Sequence, residues 1–213
     1  MLKHSINLVP ARRDLYQAKL VFYLFIASLT MFFISSLITY CVIRTESFRS
    51  LQYSYDAATA TFIPTSRTYE PLRLPVSFWL STALLVGISV FLQRAVWFVR
   101  RESQNQFRHC LIWAWGISVA FVVIQCFGMG ELVTHHFSQT DGSTKVYGMS
   151  FTLALIHALH VIGGMIFLAF VIYQSFRNKY DHERHWAVDH CAGYWHFLDV
   201  VWVAMLIVFA ITK

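Results

Sequence analysis

Residues 194–202 read Tyr194-Trp195-His196-Phe197-Leu198-Asp199-Val200-Val201-Trp202, and the chain stays apolar from there to Ile211. A run of roughly 20 mainly apolar residues is the length a helix needs to cross the hydrocarbon core of a bilayer. Inside this run a histidine and an aspartate stand three residues apart, on one helical face. Such groups are costly in lipid and persist only where protein satisfies them. His196 and Asp199 therefore face inward, and the segment is expected to be one member of a helix bundle.

Four more segments fit the same description. The spans lie at about residues 20–43, 75–99, 110–128, 147–176 and 194–211. Each is helical because backbone polar groups in lipid must bond within their own segment. With 57% hydrophobic residues, 13% charged residues and a mean hydropathy of +0.52, the chain is far from a soluble domain. The predicted fold is an all-α integral membrane protein, five transmembrane helices in a single membrane domain over residues 1–213, with no internal repeat. Met1 to Lys19 shows no cleavable signal pattern, so the first span is expected to act as the insertion signal. Residues 45–74, polar and ending in Pro64, Pro71 and Pro75, read as an outer loop that is either a docking or lid segment or disordered.

Lysine and arginine set the orientation. With the N-terminus cytoplasmic, eleven basic residues fall inside, among them Arg12, Arg13, Arg100, Arg101, Arg108 and Arg177, against six outside. This favours N-terminus in and C-terminus out. The net charge of +6 is then a topology signal and a contact with anionic head groups, so nucleic acid is not an expected partner.

Cys41, Cys110, Cys126 and Cys191 lie in or beside spans without a C-x-x-C or C-x-x-C-H pattern, which argues against a redox dithiol or covalently attached haem. Buried inert thiols are expected, with a Cys41–Cys126 disulfide as the alternative. His157 and His160 share a face of the fourth span with Gly164, at a depth similar to His196 and Asp199 in the fifth. Opposed histidines on two helices are what a membrane haem requires. Small residues interleaved with polar ones are also the ordinary adhesive of membrane bundles, and we read these four as a structural polar network, with a proton path as a further option.

The segments Ile156-His157-Ala158-Leu159-His160-Val161-Ile162-Gly163-Gly164 and Tyr194 to Trp202 resemble subunit III of haem-copper terminal oxidases. Ala27-Ser28, Leu74-Pro75, Gln125, Glu131 and Val146-Tyr147-Gly148 extend the likeness along nearly the whole chain. The resemblance is to the five-helix bacterial form, in a bacterial cytoplasmic membrane. It implies an accessory subunit of a respiratory oxidase that reduces oxygen, with no catalytic, cofactor or metal site of its own. Haem and copper would sit in partner subunits, chiefly the catalytic subunit I, and phospholipid would bind in a cleft. Arg177, Lys179, Arg184 and His185 are then candidates for lipid head groups, with Asp189 as a partner for that cluster.

Two positions depart from the family pattern. A carboxylate usually follows the Ala-Ser-like pair, where this chain has Leu29, and a second usually stands three residues after the glutamine, where it has Gly128. Two other readings stay open. One is a subunit III paralogue serving a quinol oxidase or nitric oxide reductase; the other is an independent transporter or haem carrier.

Overall fold

The structure, a computed structural model, describes residues 8–49, 52–56, 61–65, 76–138, 144–177, 180 and 186–211. Among them are five helices: α1 Leu8–Arg49, α2 Val76–Arg100, α3 Gln104–Ser138, α4 Thr144–Phe176 and α5 Trp186–Ile211. Each contains a segment long and apolar enough to cross a membrane. Several run past the spans read from sequence. Counting apolar residues finds the lipid-embedded part, whereas helical hydrogen bonding continues until something ends it. So α5 starts at Trp186 and carries Asp189 in its first turn, a favourable place for a negative charge.

The chain divides into two compact units, Met1–Ser35 and Ser36–Lys213, with the boundary inside α1. In the first unit Tyr16, Leu20, Val21 and Leu24 are exposed, as suits a surface solvated by lipid tails. The Thr30 hydroxyl donates to the Ile26 carbonyl at 2.8 Å, which satisfies a polar side chain without leaving the helix.

In the second unit α2 packs on α3 and α5, and α4 packs on α3 and α5, so these four helices close into a ring. Tyr40, from the part of α1 in this unit, is fully buried and meets Phe209 of α5 edge-on, ring centres 5.0 Å apart. The α2–α3 turn is only Arg101–Ser103. Glu102 there takes a left-handed φ of 59°, and the Ser103 amide returns to the Phe98 carbonyl, a helix-ending geometry more often given to glycine.

The segment read from sequence as an outer loop holds structure that the sequence reading left out. Strands β1 Gln52–Asp56 and β2 Thr61–Thr65 pair antiparallel, with Gln52 opposite Thr65 and Asp56 opposite Thr61. Tyrosine, threonine, phenylalanine and isoleucine favour a pleated backbone. Pro64 is tolerated because each strand of a two-stranded sheet has an open edge.

Candidate functional site

Trp202 of α5 ties the ring of helices together. Its ring meets Phe78 of α2 at 5.3 Å and Phe121 of α3 at 6.2 Å, both edge-on, and stacks on His157 of α4 at 5.2 Å. Its indole nitrogen donates to the Thr82 hydroxyl at 3.0 Å. A buried tryptophan needs a partner for that N–H, and α2 supplies it. All four helices thus meet at one side chain.

One to two turns away, near the middle of the spans, is the polar pair read first from the sequence. Ser89 of α2 donates its hydroxyl to Oδ2 of Asp199, and Nδ1 of His196 lies 2.9 Å from the same hydroxyl. Serine has one hydrogen to give. Given to the carboxylate, it leaves Nδ1 of His196 as the donor to Ser89. Nε2 of His196 lies 3.3 Å from Oε1 of Gln93. The arrangement locks α2 to α5. Oδ1 of Asp199 is buried with no hydrogen-bond partner among the described residues.

The α4–α5 contact is made differently. Tyr194 donates its hydroxyl to the backbone carbonyl of His160 at 3.0 Å, and Nδ1 of His160 is paired with the Ile156 carbonyl at 2.7 Å. Gly164 allows the close approach. A Cβ there would lie 3.0 Å from Tyr194 and 3.4 Å from both Leu198 and Trp195.

At the other ends of these helices, side chains stitch the turns. Arg100 of α2 bridges Asp189 of α5 at 3.2 Å, Gln104 donates to the Tyr180 carbonyl, and Arg108 donates to the Ser175 carbonyl. Arg101 lies over Trp97, Arg177 over Tyr173 and Arg108 over Phe176, at 3.7, 4.6 and 5.4 Å. Cations paired with aromatic faces are typical of a membrane–water boundary. Burial, and secondarily the neighbouring Cys191 thiol, pushes the Tyr180 phenol up to about 12.

The four residues of the expected network therefore form two sets. His196 and Asp199 are joined through Ser89, whereas His157 and His160 of α4 meet α5 through Trp202 and Tyr194. Ser89, Gln93 and Thr82 were not singled out from the sequence. The signal was available, since Thr82, Ser89 and Gln93 are polar residues seven and four apart in an apolar span, on one helical stripe. Of the lipid candidates, Arg177 is exposed at the end of α4, and Lys179, Arg184 and His185 lie outside the described residues. Asp189 bridges to Arg100, a partner outside that cluster. All four cysteines are free thiols, so Cys41 and Cys126 are not bonded to each other. Among the described residues no three histidine, cysteine, aspartate or glutamate side chains gather as a metal ligand set.

The profile of the family described as cytochrome c oxidase subunit III matches residues 15–212. The chain belongs to that family. Cytochrome c oxidase subunit 3 of Spodoptera frugiperda is 29% identical over 146 residues, 68% of this chain and 93% of that protein. The Gadus morhua protein is 33% identical over 141 residues, 66% of this chain and 51% of its own length. That of Drosophila melanogaster is 26% identical over 141 residues, 66% and 50% of the two chains. The aligned region thus spans about half the length of the Gadus and Drosophila relatives.

Gly128 is one of the two positions where the sequence departs from the expected pattern. At Gly128 of α3 a Cβ would lie 2.6 Å from the Ser77 hydroxyl and 2.7 Å from the fully buried ring of Phe78. The α2–α3 contact is closed at Gly128, and no carboxylate fits there without moving Phe78.

Proposed function

We propose that this chain is the non-catalytic subunit III of a haem-copper terminal oxidase in aerobic respiration. It stabilises the catalytic subunit and holds phospholipid. The observation that carries this reading is the family match across nearly the whole chain. The polar core supports it, because Ser89, Thr82, Tyr194, His196 and Asp199 form hydrogen bonds that join helices. In this reading haem and copper belong to subunit I. Phospholipid phosphates meet Arg177 and the basic residues that follow it, where an arginine resting on an aromatic ring presents its donors outward. In this reading the chain sits in a bacterial cytoplasmic membrane, and the excess of basic residues supports an N-terminus on the inner side.

A second reading, a paralogue serving a quinol oxidase or a nitric oxide reductase, is favoured by Leu29 and by the closed space at Gly128. Purification through a tag on this chain, with an absorption spectrum and identification of the co-purifying chains, tests both. A haem-copper oxidase subunit I in equal amount supports the first reading, and a reductase subunit supports the second. Isolation of the chain with no haem-bearing partner would overturn them together.

A further inference from the structure

One stripe of α2 faces away from the helices it packs against. Trp79, Ala83, Val86, Val90, Gln93 and Arg94 are all exposed, and at 3.6 residues per turn they fall within about a third of the helix circumference. Gly87 lies at the edge of the stripe, and a Cβ there would meet nothing within 4 Å. Small residues in the middle of a span are what lets a second helix come close in a membrane.

Most of this stripe suits lipid tails, but two of its residues do not. Gln93 and Arg94 stand inside the span Ser77–Arg100, and Arg94 is six residues, about 9 Å, short of its end. The end itself already has its cations, Arg100 bridging Asp189 and Arg101 resting on Trp97. Among the described residues Arg94 makes no hydrogen bond or ion pair, and the Gln93 amide nitrogen has no acceptor. A charged group at such a depth is costly and is almost always paired with another. Lipid tails offer no anion, and lipid phosphates lie at the level of Arg100 or beyond, out of reach of the short Gln93 side chain.

The spans of this chain hold no free acid for Arg94. Residues 15–45 contain no aspartate or glutamate. Asp189 bridges Arg100, Asp199 accepts from Ser89, and Glu131 closes the α3 span at the end remote from Arg100. A second copy of the chain would bring the same committed acids. The anion therefore belongs to a different chain.

We propose that the exposed stripe of α2 seats a transmembrane helix of another protein, one that carries an aspartate or glutamate at the depth of Arg94. The Arg94 guanidinium holds that carboxylate with parallel N–H bonds, the Gln93 amide donates beside it, and Ala83 and Gly87 let the two helices cross closely. The docking face stands on α2 itself and is independent of which complex holds the chain.

The test uses the full chain in native membranes with photoreactive benzoylphenylalanine in place of Val90, and in place of the exposed Ile166 of α4 as a control. Peptide mapping by mass spectrometry should find residue 90, and not residue 166, joined to one transmembrane segment that contains an aspartate or glutamate. Arg94→Glu should lower the yield of that adduct about tenfold, and an arginine in place of the partner's acid should restore it. Adducts with lipid alone would overturn the proposal and make Arg94 a phosphate contact. A cross-linked segment without an acid would overturn it too, as would failure of the charge exchange to restore the yield. The identity of the segment is read with Arg94 in place, so a misfolded Arg94→Glu variant does not blunt the test. Purification of the chain without a haem-bearing partner would overturn the proposed function and leave this adduct standing.

Discussion

Nδ1 of His196 lies 2.9 Å from the hydroxyl of Ser89, and this one contact across α2 and α5 decides what the polar pair of the fifth span does. Because the same hydroxyl serves Asp199, a single serine serves Nδ1 of His196 and Oδ2 of Asp199 together.

Ser89→Ala is expected to lower the thermal stability of the chain by about 1–2 kcal/mol. Interhelical hydrogen bonds in membrane bundles contribute about 0.6 kcal/mol on average, and this substitution removes the partner of His196 Nδ1 and of Asp199 Oδ2 together. Asp199→Leu in the same background should then cost less than it does alone, because their effects are coupled through one contact. Thermal melts of the detergent-purified chain check both, and additive losses would contradict the shared role.

Adjacent glycines in α4 should behave unequally. Gly164→Ala is expected to cost about 1–3 kcal/mol, since the new methyl meets the Tyr194 ring at 3.0 Å and Leu198 and Trp195 at 3.4 Å, so packed side chains of α5 must give way. Gly163→Ala should be nearly neutral, its nearest neighbour being the Tyr194 hydroxyl at 3.8 Å. Equal melts for the two variants would show that the α4–α5 contact is looser than described.

An acid at residue 128, which the resemblance leads one to expect there, should harm the protein. Gly128→Glu places a side chain where Ser77 and Phe78 already stand, so the expected result is a lower yield of folded chain. Gly128→Glu combined with Phe78→Ala should recover part of the loss, which size-exclusion profiles would show.

The five helices were legible because hydropathy over a bilayer's width is a signal that tertiary context rarely overrides. The inward direction of His196 and Asp199 was legible for the same reason. Their partner was not. Depth along two antiparallel spans made α4 the natural guess, but depth says nothing about rotation around a helix axis, and it is rotation that turns both residues toward Ser89. The hairpin at residues 52–65 was hidden by its short strands and by Pro64 within one of them. The lack of room at Gly128 depends on the approach of α2, which no local pattern encodes.

Between Leu15 and Thr45 there is no aspartate or glutamate, so a carbodiimide that attacks carboxyls in lipid has no target in the first span. Mass spectrometry of the treated complex should find the peptide over residues 20–44 unmodified, and proton uptake should be unchanged by any modification of this chain. Leu29→Glu should create a labelled site. Inhibition that tracks modification of Asp199 would instead assign proton movement to α5.

The central claim is that this chain supports a catalytic partner and performs no redox chemistry itself. The most direct measurement compares the oxidase purified with and without it, recording haem content, initial oxygen consumption and the number of turnovers before activity decays. Haem content and initial rate should be largely kept while the turnovers before inactivation fall severalfold. Loss of all oxygen reduction with the haems still in place would contradict the claim.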